Sequence, residues 1–106
     1  MSDQSQITVF PDLAAEAPIP ARGILSQTLS KDGGVELVMF AFAAGEQLSP
    51  HTSARAAIIH VLAGTASVTL GTETHEATAG FWARMPARTE HAIVATTPLV
   101  MALYLL

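Results

Sequence analysis

Two histidines, His51 and His91, occupy positions where their side chains could take part in chemistry. His51 follows Gly45 and Pro50, and His91 follows Pro86, so each is predicted to stand at the start of a β-strand. Two imidazoles at strand starts could converge on the mouth or the interior of one barrel, where neutral ring nitrogens would bind Zn, Fe, Ni, Cu or Mn. Catalytic zinc sites tend to use three protein ligands. The alternative is therefore that each histidine hydrogen-bonds within a polar pocket.

The elements that would position these histidines are short β-strands. Glycine and proline recur at regular intervals, and the stretches between them are short and rich in apolar and β-branched residues, which is typical of strands. Residues 35–43 and 99–106 are apolar at both odd and even positions, so we expect strands that are covered on both faces. Eight or nine evenly spaced strands predict a single all-β domain, either a barrel or a sandwich. The predicted strands are 22–30, 35–43, 56–62, 65–70, 74–78, 81–85, 91–95 and 99–106.

The first twenty residues have a different character. Pro11, Pro18 and Pro20 interrupt them, and because proline is not tolerated inside a helix we expect at most one helical turn there, at residues 12–16. We therefore divide the chain into an irregular N-terminal arm, residues 1–20, and a barrel, residues 21–106.

The composition restricts the classes of function. Charged residues make up 13% of the 106 residues, about half the usual share, whereas 50% of the residues are apolar. The formal charge of −4 argues against nucleic-acid binding, and no apolar run reaches the roughly 18 residues of a membrane span. Without cysteine there is neither a disulfide nor a thiolate metal site, and the polar residues 1–6 do not read as a signal peptide, so we expect the cytoplasm. The surplus apolar residues must then line a subunit interface or a ligand cavity.

The spacing within two segments resembles the two sequence motifs of the cupin family. Residues 45–64, which contain His51, resemble the first motif: Gly, five residues, His, one residue, His, three or four residues, Glu, six residues, Gly. Residues 80–95, which contain His91, resemble the second: Gly, five residues, Pro, one residue, Gly, two residues, His, three residues, Asn. The 15 residues between them, 65–79, are about the minimal length in the family. The resemblance, to small single-domain cupins of the type-2, RmlC-like kind, implies a double-stranded β-helix, which is a jelly-roll-like barrel.

The chain departs from these motifs at the metal-binding positions. In metal-binding cupins the ion is held by two His and a Glu of the first motif and by a His of the second. His51 and His91 match two of these ligands, whereas Ser53 stands at the second His and Ala57 at the Glu. The second motif also has Arg88 in place of its Gly. The resemblance therefore implies a degenerate metal site.

Three interpretations of the pocket stay open. In the first, His51 and His91 hold a divalent transition metal (Zn, Fe, Mn, Ni or Cu), and the protein is a metal-dependent enzyme of the dioxygenase or isomerase type. In the second, which the two lost ligands favour, a metal-free pocket binds a small, partly apolar metabolite. In the third, the barrel is a structural or interaction module with a vestigial site. The residues expected to line the pocket are His51, Ser53, Arg55, Ile59, Met85 and His91.

Strand parity assigns directions to two further side chains. Arg55 has the same parity as Ser53 and Ala57, so its guanidinium is expected either to reach the pocket, where it could pair with a ligand carboxylate, or to lie in solvent. His60 has the opposite parity from Ile59 and is expected to point away from the site.

The resemblance also implies a homodimer, and the last predicted strand agrees with it independently. Residues 99–106 are apolar on both parities, and such a strand at an exposed edge would invite association. We expect residues 35–43 and 99–106 to pack across the subunit interface, and Ile59, Val61, Met85 and Ile93 to line a barrel cavity.

Overall fold

The computed structural model describes residues 7–106, and its regular structure is almost entirely β, as predicted. Nine strands follow one another within residues 7–106: β1 (Ile24–Ser30), β2 (Glu36–Phe42), β3 (Gln47–His51), β4 (Ala57–Ala63), β5 (Ala66–Leu70), β6 (Glu73–Ala77), β7 (Trp82–Met85), β8 (His91–Ala95) and β9 (Leu99–Leu105). Helical structure in the described residues is limited to two short 3-10 segments, Leu13–Glu16 and Asp32–Gly34. Among the described residues no helix is long and apolar enough to cross a membrane. The polar segment 1–6, from which the cytoplasm was inferred, lies outside the described range.

The strands form two antiparallel sheets. The five-stranded sheet has the order β1-β2-β9-β4-β7, and the four-stranded sheet has the order β3-β8-β5-β6. Loops 52–56 and 86–90 each cross from one sheet to the other, since β3 and β8 lie in one sheet and β4 and β7 in the other. His51 ends β3 and His91 opens β8, so both lie beside these crossing loops. We call this part of the molecule the histidine end of the barrel.

Alternation of side chains along the strands builds the inner core between the two sheets. Ile59 and Val61 of β4, Val68 of β5 and Ile93 of β8 are fully buried there, and the residues between them in sequence face the other way. Burying apolar surface in this way is the main driving force for closing the two sheets on each other. The inner core is completed by Phe42, Ala57, Ala66, Ala77, Met85, Ala95, Leu99 and Met101.

The outer face of the five-stranded sheet carries a second apolar cluster, which the N-terminal arm covers. Met39 and Ala41 of β2 and Ala102 of β9 are buried on this face, and Phe10 and Leu13 of the arm pack against their cluster. The prediction that β2 and β9 are apolar on both faces because both faces are covered is confirmed. A partner subunit was expected to cover them, but on this part of the face the cover is residues 10–17 of the same chain. The expectation that residues 99–106 lie at an exposed edge is wrong, because β9 is the central strand and is paired with β2 and β4.

Strand β3 was not predicted from the sequence, and it changes the position of His51. Residues 47–51 are polar and include Pro50, which argues against a central strand. The structure places β3 at the edge of the four-stranded sheet, where a proline can be accommodated because one side of the strand needs no backbone donor. The sequence predicted that His51 is the first residue of a strand, because it follows Pro50. In the structure His51 is instead the last residue of β3.

We predict that Gly64→Ala destabilises the protein by about 3 kcal/mol or more. Gly64 has a φ of +89°, and a Cβ there would overlap the carbonyl oxygen of Pro98 and lie 3.0 Å from the Cα of Leu99. Both neighbours are backbone atoms next to β9 and cannot move aside as a flexible side chain could. Urea unfolding measures the cost.

Gly71→Ala provides the matched control for this prediction. Gly71 also has a positive φ, +61°, but nothing lies within 4 Å of the position that an added methyl group would take, so the substitution should cost only the left-handed backbone term of about 1–2 kcal/mol. Equal losses for the two variants would mean that the close approach of residues 64 and 98 does not exist.

Candidate functional site

The two predicted site histidines lie directly opposite each other across the β3–β8 pair. His51 is the register partner of His91, and their ring centroids are 4.1 Å apart with an angle of 57° between the ring planes. Because directly opposed residues of an antiparallel pair project to the same face, the register itself brings the rings together. The two imidazoles were expected to converge, and the structure brings them together as the histidine pair.

Backbone carbonyl groups orient both rings. Nδ1 of His51 lies 2.9 Å from the carbonyl oxygen of Ser49, and Nδ1 of His91 lies 3.0 Å from that of Thr89. A carbonyl oxygen only accepts, so in each case Nδ1–H is the donor. In the neutral ring the proton is then on Nδ1, and Nε2 carries a free lone pair. Each histidine thus uses the carbonyl two residues before it, and neither Ser49 nor Thr89 could be recognised from the sequence because the contact does not involve their side chains.

The two rings differ in burial, and burial changes the pKa of His91. His51 is exposed, whereas His91 is 4% exposed. Within residues 7–106 no buried side-chain nitrogen or oxygen lacks a hydrogen-bond partner, and Nε2 of His91 has no partner there, so this atom reaches the solvent. Burial of the ring lowers the pKa of His91 from its usual 6.5, the hydrogen bond with Thr89 opposes that shift, and the neighbouring His51 adds to it. The pair therefore presents Nε2 lone pairs at the surface of an apolar barrel.

Ser53 and Ala57 occupy the positions of the two replaced motif ligands. The Ser53 hydroxyl accepts a hydrogen bond from the backbone N–H of Arg55 over 3.1 Å, and the Ser53 carbonyl accepts one from the backbone N–H of Arg88 over 2.7 Å. Ser53 therefore shapes loop 52–56 and ties it to loop 86–90. Ala57 is 1% exposed and is part of the inner core.

Arg55 uses its guanidinium to hold strand ends together. It donates to the carbonyl oxygens of Gly34, Leu105 and Leu106 over 2.9–3.0 Å, and it forms an ion pair with Glu36 at 3.3 Å. None of these contacts is with the histidine pair. Strand parity does not apply to Arg55 because residues 52–56 form a loop, where side chains do not alternate between two faces.

Ile59 and Met85, the two apolar residues expected to line the pocket, fill the inner core. They are 0% and 3% exposed, and Val61 and Ile93 are equally buried. A cavity of about 280 Å³ lies elsewhere, between the arm and the outer face of the five-stranded sheet. Its lining includes Glu16, Ala17, Leu25, Gln27, Met39 and Ala41.

The other two histidines do not join the pair. His60 is paired with Trp82 of β7 and, unlike its neighbours Ile59 and Val61, is not part of the inner core, which agrees with its predicted direction. His75 lies 3.0 Å from a carboxylate oxygen of Glu73 and 43% of its side chain is exposed.

The donor set at the histidine pair does not fit a resident transition metal held by protein ligands alone. The two free Nε2 atoms are suitable donors, but the replaced ligands leave a hydroxyl already used in a loop and a buried methyl group. Within residues 7–106 there is no group of three or more His, Cys, Asp or Glu residues placed to hold an ion. Protein metal sites commonly use three or four such ligands.

Comparison with known proteins agrees with the fold and the motifs. The family model described as "Cupin domain" matches residues 38–105. A conserved protein of unknown function from Streptococcus pyogenes is 28% identical, with a TM-score of 0.82 and coverage of 100% of this chain and 95% of the other. A cupin superfamily protein from Desulfitobacterium hafniense is 25% identical, with a TM-score of 0.82 and coverage of 95% and 92%. No curated protein matches the sequence.

A third solved structure shares the fold alone. Salicylate 1,2-dioxygenase from Pseudoaminobacter salicylatoxidans is 16% identical, with a TM-score of 0.71, and the match covers 83% of this chain but 26% of the dioxygenase. Together, the two antiparallel sheets define a small jelly-roll barrel, with the histidine pair at one end of it. The family model covers more than half of the sequence, and the chain belongs to the cupin family.

We predict that the free energy of unfolding falls as the pH drops below about 6.5, and that His91 contributes to this fall. The folded state lowers the pKa of His91, so the unfolded chain binds more protons between the folded and the unfolded pKa, and acidification favours unfolding. One such group changes the stability by at most about 1.4 kcal/mol per pH unit. Urea unfolding between pH 7.5 and pH 5.5, with NMR titration of the His91 ring, measures both quantities.

His91→Gln keeps a side-chain N–H donor but removes the titration. Its loss of stability over the same pH range should be smaller than that of the wild-type protein. Identical slopes for the two proteins would contradict the burial of His91.

Proposed function

We propose that this protein is a small-molecule-binding member of the cupin family, with a site at the histidine end that works without a resident metal. The observation that carries the proposal is the pair of Nε2 lone pairs, fixed by two Nδ1–H donations to the carbonyls of Ser49 and Thr89. Small-molecule sites combine apolar surroundings with a few polar groups in fixed orientations.

The chemistry of the pair indicates what kind of group it would bind. A free Nε2 in a neutral imidazole accepts a hydrogen bond, so the site favours a ligand with O–H or N–H donors. The lowered pKa of His91 keeps its ring neutral near pH 7. Because Ile59 and Met85 fill the core below, such a ligand would lie at the histidine end and not deep within the barrel. A small, partly apolar metabolite with at least one donor group meets these requirements.

One observation favours the alternative, a metal-dependent cupin enzyme of the dioxygenase or isomerase type. Metal-ligating histidines usually donate their second ring N–H to a carboxylate, carbonyl or water, and both His51 and His91 do so. Water or substrate atoms would then have to supply the ligands that Ser53 and Ala57 do not. We rank this below metal-free binding because two protein ligands are fewer than such sites commonly have.

We also propose that the protein is a cytoplasmic homodimer. Leu25 of β1 and Trp82 of β7 lie in the two edge strands of the five-stranded sheet and are 54% and 56% exposed. The arm covers the middle of that sheet's outer face but leaves these two side chains uncovered. Large aromatic side chains such as Trp82 are enriched in subunit interfaces, and cupin membership favours a second copy of the chain as the partner.

We predict that phenol, an apolar ring with one O–H donor, shifts the ring signals of His51 and His91 in an NMR titration, whereas anisole does not. The two compounds differ in the donor that the Nε2 atoms would accept. The titration is run on protein purified without an affinity tag. Shifts of equal size with anisole, or none with phenol, would overturn the proposed mode of binding.

Elemental analysis of the same protein tests the alternative. After incubation with Fe, Mn, Zn, Ni or Cu and dialysis, metal-free binding predicts well under one ion per chain, and no difference in a His51→Ala, His91→Ala double variant. One ion per chain that is lost in the double variant would replace the proposal with the metal-dependent enzyme.

For the dimer, we predict that light scattering at micromolar concentration gives twice the chain mass of 11.1 kDa. Trp82→Lys should shift the protein towards monomer because it places a charge at the interface. Val94→Lys is the matched control, since Val94 is also an exposed strand residue, at 40%, but belongs to the four-stranded sheet. A wild-type particle of 11.1 kDa would exclude the dimer.

A further inference from the structure

Arg88 has an unusual backbone conformation for its residue type. Its φ is +66°, and it is the one residue other than glycine with a positive φ within residues 7–106. This conformation costs an ordinary side chain energy that glycine does not pay, and the motif that the sequence resembles has glycine at this position. Strained residues of this kind are found preferentially at functional sites.

The turn that carries Arg88 also holds His91. The N–H and the hydroxyl of Thr89 both donate to the carbonyl oxygen of Pro86, over 3.3 and 2.9 Å, which closes the turn around Arg88. A positive φ at the third residue of such a turn is characteristic of type II geometry. The backbone N–H of Arg88 donates to Ser53 in the facing loop, and the carbonyl of the next residue, Thr89, accepts from the His91 ring. The arginine side chain thus starts one residue away from the group that orients His91.

The distribution of charge singles out the same residue. The chain has five basic residues and a net charge of −4, yet Arg55, Arg84 and Arg88 all lie in or next to the loops of the histidine end. The guanidinium of Arg55 is bound to Glu36 and to three carbonyl groups. Arg84 is paired with Ile58 on strands whose inner-core residues are Ala57, Ile59 and Met85, so it projects to the opposite, outer face.

Arg88 is therefore the arginine of these loops that is neither bound, as Arg55 is, nor on the outer face of the sheet, as Arg84 is. Its side chain is exposed, and within the described range, residues 7–106, its guanidinium forms neither a hydrogen bond nor an ion pair, including with the nearby Glu90. Guanidinium groups bind carboxylates in a bidentate manner, and this needs a free, planar fork of donors.

We propose that Arg88 determines the specificity of the site by binding the carboxylate of a small hydroxy acid, while the ligand's hydroxyl group donates to Nε2 of the histidine pair. This inference rests on the proposed function and assigns its ligand class. The two parts of the site have complementary needs: the Nε2 lone pairs repel a carboxylate and accept from a hydroxyl, whereas the guanidinium attracts the carboxylate. The unfavourable backbone conformation of Arg88 then arises because an arginine occupies a position where the family motif has glycine.

Three probes of nearly equal size test the ligand class. Lactate has both groups, lactamide has the hydroxyl but no charge, and propionate has the carboxylate but no hydroxyl. NMR titration of the His51 and His91 ring signals should show that lactate binds about tenfold more tightly than lactamide, because a hydrogen bond to a charged group is worth about that much. Lactate should also bind severalfold more tightly than propionate, which lacks the neutral hydrogen bond to Nε2.

Two neutral variants test Arg88. Arg88→Gly should weaken lactate binding to about the level of lactamide, a loss of about tenfold, and should raise the urea midpoint because the strain is removed. Arg88→Asn should show the same loss of binding, and because asparagine also tolerates a positive φ, the result does not depend on the folding of one variant.

Arg88→Lys keeps a charge and should retain part of the preference for lactate over lactamide. Arg84→Gln removes a nearby cation of the outer face and should bind lactate as the wild-type protein does.

The outcomes distinguish this inference from the proposed function. If phenol shifts the histidine signals but lactate binds no better than lactamide, or if Arg88→Gly and Arg88→Asn bind lactate as tightly as the wild-type protein, the role of Arg88 is refuted and the binding function stands. If phenol does not shift the histidine signals, the proposed mode of binding is refuted, and this inference with it.

Discussion

The burial of β9 on both faces is the constraint on which the rest of the structure depends. β9 lies in the middle of the five-stranded sheet, hydrogen-bonded to β2 on one side and β4 on the other, and residues 99–102 are at most 4% exposed. Both faces of this strand are shielded from solvent. The four-stranded sheet packs against one face, and the N-terminal arm packs against the other. β3 and β8 belong to the four-stranded sheet that covers the inner face, so this packing also fixes the position of the histidine pair.

Much of this fold could be predicted from the sequence because its signals are local. Gly and Pro mark the turns, and parity within a strand separates the inner-core residues Ile59 and Val61 from His60. The missed strand, β3, has the sequence of a loop, and it is a strand because β8 pairs with it. Likewise, the sequence showed that the outer face of β2 is apolar, but not what packs against it. The N-terminal arm does so, and a partner subunit would have required the same apolar side chains.

The site was predictable in its histidines and not in its surroundings. Motif spacing pointed to His51 and His91, and the β3–β8 register places them in contact. Arg55 could not be placed, because parity has no meaning in the loop that carries it, and its partners are carbonyl groups from distant strands. The carbonyls of Ser49 and Thr89 leave no trace in the sequence, since any residue provides one. Arg88 was visible as a departure from the motif, but its significance depends on a backbone angle that only the structure gives.

The position of β9 in the chain order has a consequence for folding kinetics. β9 is the last of the nine strands in residues 7–106, yet it lies between β2 and β4 in the sheet. β2 and β4 therefore have no common neighbour until β9 pairs with both of them. The contacts that complete the sheet join residues far apart in sequence, as between Met39 and Ala102, and contacts of this kind slow folding because the loop must close before the contact stabilises it. The apolar outer residues of β2 therefore lack their β9 neighbours until this strand pairs, and we expect the five-stranded sheet to be completed late in folding.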